Sequence, residues 1–582
     1  MTSGTTGLVT VTVPDPVVDG QVLVFISNEK HQTIVKALTF EEKVLKSITE
    51  VYQVDSRGGN VQVEVCSNID YSVNIPDEDK SWCSLVDTKA VRIDILTFRI
   101  SENEGTSDRS TEIDIVSEDD TKSFTITVYQ GGTNSVIVFA DPVMKSYCVT
   151  AFDTDGDGEL SYAEAAAVTD LSIMGRPYDA VSFDEFQYFT AVTSINYRNF
   201  EYCSELTSIV IPEGVTSIGE RAFKCCRNLT NITIPSSVTS IGESAFYECT
   251  GLTNITIPSS VTSIGAWAFE FCQNLTSITI PESVTSIGVS PAGNCYLIRI
   301  SVAEGNPVYD SKNDCNAIIE TATNTLIQGC TTSAIPEGVT SIGERAFSGC
   351  NGLTNITIPS SVTSIGEQAF SGCNDLTSIT IPESVTSIGV KAFEYSGLTN
   401  VHITSGVTSI GDLAFAHCRN LTSITIPESV TSIGVSPARG CDNLIRISVA
   451  EGNPVYDSRN DCNAIIETAT NTLIQGCTTS AIPESVTSIG DVAFYECTGL
   501  TNITIPSSVT SIGLQAFMGC ICLTQIYIEA TTPSLYGYSN IGAGNSARIY
   551  VPFESVDLYI SDWRKYADRI VGYDFEHNEV VQ

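Results

Sequence analysis

Residues 153–164 read Asp-Thr-Asp-Gly-Asp-Gly-Glu-Leu-Ser-Tyr-Ala-Glu. Carboxylates at positions one, three and five, a glycine at six and a glutamate at twelve have the spacing of a calcium-binding loop. Calcium is a hard cation that takes six to eight oxygen ligands. Asp153, Asp155 and Asp157 can supply carboxylates, Glu159 its backbone carbonyl, and Ser161 its hydroxyl or a bridging water. Glu164 closes the set with both oxygens, Gly158 makes the sharp turn, and Leu160 is the apolar residue at position eight. The competing reading is an acidic solvated turn. The matched positions, together with helix-forming residues at 140–150 and after Glu164, favour calcium. The site is expected to be a lone, EF-hand-like loop that stiffens a joint.

Little else in the chain is suited to chemistry. There are four histidines, His31, His402, His417 and His577. His402 and His417 fall in adjacent repeats with no third ligand fixed by spacing, so each reads as a surface substitution. No serine-hydrolase elbow, zinc-protease helix, phosphate loop or dinucleotide fingerprint occurs, and no enzymatic activity is expected. The glycine-rich run 541–545 is followed by no lysine and reads as a loop. The remaining candidate groups are uncharged hydroxyls and amides that recur: Thr230, Asn231 and Thr233, then Thr253, Asn254 and Thr256, then Thr354, Asn355 and Thr357. Such groups donate and accept hydrogen bonds over a broad face. Equally, they are residues that suit strands and solubility.

A repeat positions these groups. Leucines 206, 229, 252 and 275 stand 23 residues apart, and Leu353, Leu376, Leu398, Leu421, Leu500 and Leu523 continue the series. A fixed period means a solenoid, whose coils bury their apolar edges only against each other. In one unit, Leu229, Ile232 and Ile234 point inward from a short strand that ends at Pro235. Val238 and Ile241 turn inward again, Gly242 permits a bend, and Ala245, Phe246 and Cys249 lie on a short helical turn. Stacking predicts a spine of Phe223, Phe246, Phe269, Phe347, Phe370, Phe393, Phe415, Phe494 and Phe517. Most of the 20 cysteines sit at one repeat position, so buried free thiols are favoured over disulfides. Two blocks, 300–330 and 447–477, interrupt the period and repeat each other at a step of 147 residues. There, short strands are expected to replace the helical turn and to bulge outward.

The unit I-T-I-P-x-S-V-T-S-I-G-x-x-A-F-x-x-C resembles the BspA-like leucine-rich repeat family of bacterial surface proteins and some protozoan parasites. The resemblance covers more than half of the chain. It implies a right-handed β-solenoid, surface exposure, and adhesion to host extracellular proteins or neighbouring cells. Residues 54–132 alternate apolar and polar in strands such as Val61–Val65, with turn signals at sandwich spacing. This segment resembles the BACON domain through Ser67-Asn68, Trp82, Asn103, Arg109 and Gln130-Gly131. That resemblance implies contact with glycans or mucin, led by Trp82, as the alternative function; a third reading is a stalk for a larger surface enzyme.

The expected fold is mainly β: a β segment of unknown type at 1–53, a BACON-like sandwich at 54–132, the calcium loop and solenoid entry at 133–200, leucine-rich repeats at 201–529, and a C-terminal cap at 530–582. Phe183, Phe186, Tyr188 and Phe189 are expected to cap the first coil. A net charge of −39 argues against nucleic acid and against anionic membrane surfaces. No apolar run is long enough to span a bilayer. Met1-Thr2-Ser3-Gly4 has neither the basic nor the apolar part of a secretory leader, so a cell-surface location follows from the resemblance alone. A monomer is expected.

Overall fold

In a computed structural model, the N-terminal part is described over Gln21–Ser27, Thr33–Thr39, Leu45–Ser47, Val51–Val54 and Gly59–Ser67. From residue 71 the description runs to 532, except 82, 90–92, 102, 104, 106, 118–122, 131 and 133–134, and resumes over 546–581. Trp82, His31, Asn68, Gly131 and the run 541–545 lie outside the described residues. Two compact units result: residues 1–139, 148–168 and 188–191 form one, and residues 140–147, 169–187 and 192–582 the other.

In the first unit, β1 (Gln21–Ser27) and β2 (Thr33–Thr39) form an antiparallel pair. Eight further strands follow: β3 (Leu45–Ser47), β4 (Val51–Val54), β5 (Gly59–Ser67), β6 (Tyr71–Asn74), β7 (Cys83–Lys89), β8 (Ile93–Ile100), β9 (Arg109–Ser117) and β10 (Ser123–Gln130). They make two four-stranded sheets, ordered β3-β5-β8-β7 and β4-β10-β9-β6. The alternation in β9 buries Ile113 and Ile115 and exposes Glu112 and Asp114. Leu96 and Phe98 of the other sheet meet them in one core. Two of the BACON-like signature residues serve the fold directly. Arg109 Nε–H donates to Gln130 Oε1 at 2.7 Å, and both side chains donate to the Ser101 carbonyl at 2.9 Å.

In the second unit each coil buries the expected residues. Leu229, Val238, Ala245, Phe246 and Cys249 are fully covered, and Ile234 and Ile241 are buried. The continuous strand lies elsewhere than expected. Ser240–Ile241 pairs in parallel with Ser217–Ile218 and Ser263–Ile264, and this two-residue strand recurs in every regular coil. At the Ile232–Ile234 segment an isolated bridge, Val210 to Thr233, stands instead. Four-residue strands form at that place only in some coils, such as Ser378–Ile381 against Asn400–Ile403. Hydrogen-bond lengths explain the choice: Thr239 N–H reaches the Thr216 carbonyl at 2.8 Å, whereas Thr230 N–H reaches Thr207 at 3.4 Å.

The role of Gly242 also differs from a bend. A Cβ there would lie 2.6 Å from the Gly219 backbone carbon, so the glycine permits close approach of coils. The Ala-Phe turn is not helical, because Ser244 and Glu248 are left-handed at φ 53° and 59°. This conformation turns the N–H groups of Ser244, Phe246 and Glu248 forward, onto the carbonyls of Ala266, Ala268 and Glu270 at 2.7–2.9 Å.

The phenylalanine rings stack with centroids 5.0–5.5 Å apart and planes within 10°. The spine begins earlier than expected, at Phe200, and is broken twice. Pro291-Ala292 and Pro437-Ala438 stand where Ala-Phe would be. The turn is nevertheless kept at the interruptions, since Phe269 N–H donates to the Pro291 carbonyl at 2.7 Å. After that turn the chain adds a meander, Tyr309–Asp310, Ile318–Glu320 and Thr325–Gln328, which starts a new sheet. Buried Gln328 bridges the gap: its Oε1 accepts the Ala292 N–H at 3.3 Å and its Nε2 donates to the Gly329 carbonyl at 2.9 Å. Gln475 repeats this arrangement toward Ala438 and Gly476.

Phe183 and Phe186 stack at 5.2 Å and flank Phe200, closing the first coil. Tyr188 and Phe189 instead meet Tyr162 and Phe152 in the first unit. At the far end Arg548–Pro552 and Ile570–Asp574 extend the sheet, and buried Tyr559 and Trp563 cover the last coil. Among the described residues every cysteine is a free thiol. These thiols do more than fill space: Cys249 donates to the Phe223 carbonyl at 3.0 Å and Cys272 to Phe246 at 3.1 Å. Burial pushes the Cys272 thiol up to about 12, so it stays protonated.

Candidate functional site

The calcium-type loop lies between α1 (Pro142–Phe152) and α2 (Tyr162–Ala167). Ser161 caps α2, and Glu164 completes a capping box by bonding back to it. Oxygens of Asp153, Asp155 and Glu164 converge to within 4.8 Å of one another. Asp153 accepts the N–H groups of Gly156 and Gly158 at 2.6 and 2.9 Å, which wraps the loop around its carboxylate. Gly158 is left-handed at φ 84°, as its turn requires. Asp157 lies outside the converging trio and accepts the Glu159 N–H at 2.7 Å. The Ser161 hydroxyl is directed to Glu164 Oε2 at 2.9 Å.

Thr154 is the residue that spacing missed. Its N–H and hydroxyl donate to Glu164 Oε1 at 2.6 and 2.8 Å. Burial opposes ionisation of Glu164, but the bonds from Ser161 and Thr154 outweigh it and hold the carboxyl at about 2. Glu164 is therefore an anion at neutral pH, which suits a cation ligand.

The nine Thr and Asn positions singled out on the solenoid, from Thr230 to Thr357, are all exposed. They lie on the Ile-Thr-Ile side of their coils, each Thr-Asn pair between a buried leucine and an isoleucine and each later threonine between two isoleucines, of which Ile356 is only partly buried. The other threonine column, in Val-Thr-Ser-Ile, spends its hydroxyls internally: Thr239 donates to Thr216 and Thr363 to Thr340, at 3.1 and 3.0 Å. The turn side holds a further set, visible in sequence as the columns that vary when the repeats are aligned. Tyr395 stacks on His417 at 4.5 Å, and Arg439 lies 3.9 Å over the Tyr495 ring. His417 is thus half-buried beside Glu496, 3.8 Å away, while His402 is exposed on a strand.

The leucine-rich repeat profile described as BspA type matches six copies, over residues 178–308, 326–445 and 472–554, more than half of the chain. The chain belongs to the BspA-type leucine-rich repeat family. Residues left out between its blocks, 309–325 and 446–471, fall on the meanders that interrupt this BspA-type solenoid. The BACON family, an N-terminal binding domain, matches residues 72–131. Among solved structures, a leucine-rich repeat protein from Bacteroides ovatus is 27% identical, over 66% of this chain and 88% of its own, with a TM-score of 0.36. A leucine-rich cell surface protein from Faecalibacterium prausnitzii is also 27% identical, over 55% and 88%, with a TM-score of 0.35. The pneumococcal vaccine antigen PcpA is 18% identical, over 66% and 76%, with a TM-score of 0.37. No curated protein matches the chain. The family and domain assignments are to binding-type modules, and among the described residues no helix is long and apolar enough to cross a membrane.

Proposed function

We propose that the protein is a non-enzymatic adhesion or recognition protein of the cell surface, whose solenoid binds proteins of a host or of neighbouring cells. The observation that carries this reading is the exposed Thr-Asn-x-Thr series, held at coil spacing on a rigid stack. Preorganised donors and acceptors lose little conformational freedom on binding. The full chain is tested against immobilised fibronectin, laminin, collagen and mucin. Saturable binding to a protein, weakened by Asn254→Glu with Asn355→Glu, supports the reading. Silence across the panel, or binding indifferent to both changes, contradicts it.

The loop at 153–164 is proposed to take calcium through Asp153, Asp155 and Glu164, with Asp157, the Glu159 carbonyl and Ser161 completing the oxygen set. The converging carboxylates fit a hard cation. Calcium would supply charge neutralisation and tie the two helices together. Calorimetric titration of the full chain is expected to show one site that Asp153→Ala removes; no heat with calcium contradicts the assignment.

A further inference from the structure

The residue immediately before the ladder cysteine, or before Ser396 where serine replaces it, lies on the rim of the turn. Along the stack this row includes Asn294, Gly349, Gly372, Tyr395, His417, Gly440 and Glu496. Side chains in the row lean over the next coil. A Cβ added to Gly349 would strike Asn294, one on Gly440 the His417 ring, and one on Gly519 the Glu496 side chain. Gly372 differs, because the residue before it in the row is also glycine. A Cβ there would meet only the Gly349 backbone, at 3.6 Å.

The Asn294 side chain already covers the rim at Gly349, so the one uncovered coil is that of Gly372. It leaves a slot between the Asn294 side chain and Tyr395, whose levels in the stack are roughly 10 Å apart, two steps of about 4.8 Å. Tyr395 forms one end. Its ring lies 7° from parallel to His417, so its other face is turned along the stack toward Gly372, and the residue is 49% exposed. Asn294 closes the opposite end. In the same turn as Gly372 stand Gln368, whose Oε1 accepts from Arg345 at 2.7 Å, and Asn374, whose Nδ2 donates to Asn351 at 2.7 Å. Among the described residues the Gln368 amide nitrogen and the Asn374 amide oxygen have no partner, and both are available to a ligand.

We propose that this slot is a saccharide site that takes a pyranose ring against Tyr395. A pyranose presents C–H groups on its faces and hydroxyls around its edge. The electron-rich face of the tyrosine attracts the C–H groups. Amides flanking the slot can donate to and accept from the hydroxyls. One apolar wall with a few convergent polar groups is the usual make-up of a small-ligand site. An aromatic side chain of a protein would stack equally well but leave the amides unanswered. The site uses a different face and a different ligand class from the protein-binding surface above, so either can fail alone.

The test runs the full chain through affinity gels containing β-glucan, xylan, mannan, pectin or mucin, then titrates it with oligosaccharides of the retaining polymer. Retention by at least one polymer is expected. Tyr395→Ala and Gly372→Asn should each weaken binding about tenfold or more. Asparagine tolerates the left-handed φ of 72° at position 372, so that variant fills the slot without unfolding the coil. Its unchanged melting curve separates loss of the slot from loss of the fold. Absence of retention by every polymer, or retention untouched by both variants, overturns the proposal. So does capture of tryptophan-rich peptides, without any saccharide, that Gly372→Asn abolishes.

Discussion

On the sheet side of each coil Val-Thr-Ser-Ile-Gly recurs with almost no change, while on the turn side the residues flanking Ala-Phe differ from coil to coil. Both sides are stitched by inter-coil hydrogen bonds of similar length, so bonding alone does not explain the contrast. Space does. On the sheet side, Gly242, Gly265 and Gly366 would each drive a Cβ into backbone of the preceding coil, at 2.4–2.7 Å. On the turn side the left-handed positions accept serine, glutamine, tryptophan, leucine, tyrosine or histidine alike, some buried, as Ser244 is, and some exposed, as Tyr395 is. Sequence freedom therefore marks where the solenoid can diversify its surface without changing its spacing.

The contrast can be broken most severely from inside. Phe370 is fully buried and stacked on both sides, 5.0 Å from Phe347 and 5.3 Å from Phe393. Phe370→Ala is expected to cost about 3–5 kcal/mol by leaving a cavity in the stack. Denaturant unfolding followed by far-ultraviolet circular dichroism would measure it. A loss below about 1 kcal/mol would mean that the spine is not a support.

A smaller effect concerns the calcium loop. Glu164 titrates at about 2 in the fold against an ordinary 4.5, so it binds fewer protons folded than unfolded. Its contribution is present above pH 4.5 and lost as pH falls toward 2. In calcium-free buffer the melting difference between the protein and Glu164→Gln should shrink across that window. A difference independent of pH would show that the bonds from Ser161 and Thr154 do not stabilise the anion.

The smallest effect is expected on the sheet-side hydroxyls. The Thr340 carbonyl still receives the Thr363 N–H at 2.8 Å when the hydroxyl is removed. Thr363→Val should thus cost no more than about 1 kcal/mol, read from the same denaturant curves.

Much of this was legible in the sequence, and the remainder was hidden for physical reasons. The buried set from Leu229 to Cys249 follows from apolar spacing, because burial is what the period encodes. The two-residue strand Ser240–Ile241 gives no alternation long enough to read, so the eye is drawn to Ile-Thr-Ile. Left-handed Ser244 and Glu248 are not glycines and carry no mark of their conformation. The turn kept at Pro291-Ala292 and the Gln328 bridge depend on contacts between distant residues. In the calcium loop, spacing named the carboxylates but not Thr154, whose hydrogen bonds set the charge of Glu164.

The division between an inflexible sheet side and a tolerant turn side is tested most directly by melting two variants from the same coil, Gly366→Ala and Gly372→Asn. At Gly366 the new Cβ would lie 2.7 Å from the Gly343 carbonyl carbon, so overpacking of about 1–3 kcal/mol should lower the solenoid transition by several degrees. Gly372→Asn should leave that transition where it is. Equal shifts, or a larger loss from Gly372→Asn, would contradict the account.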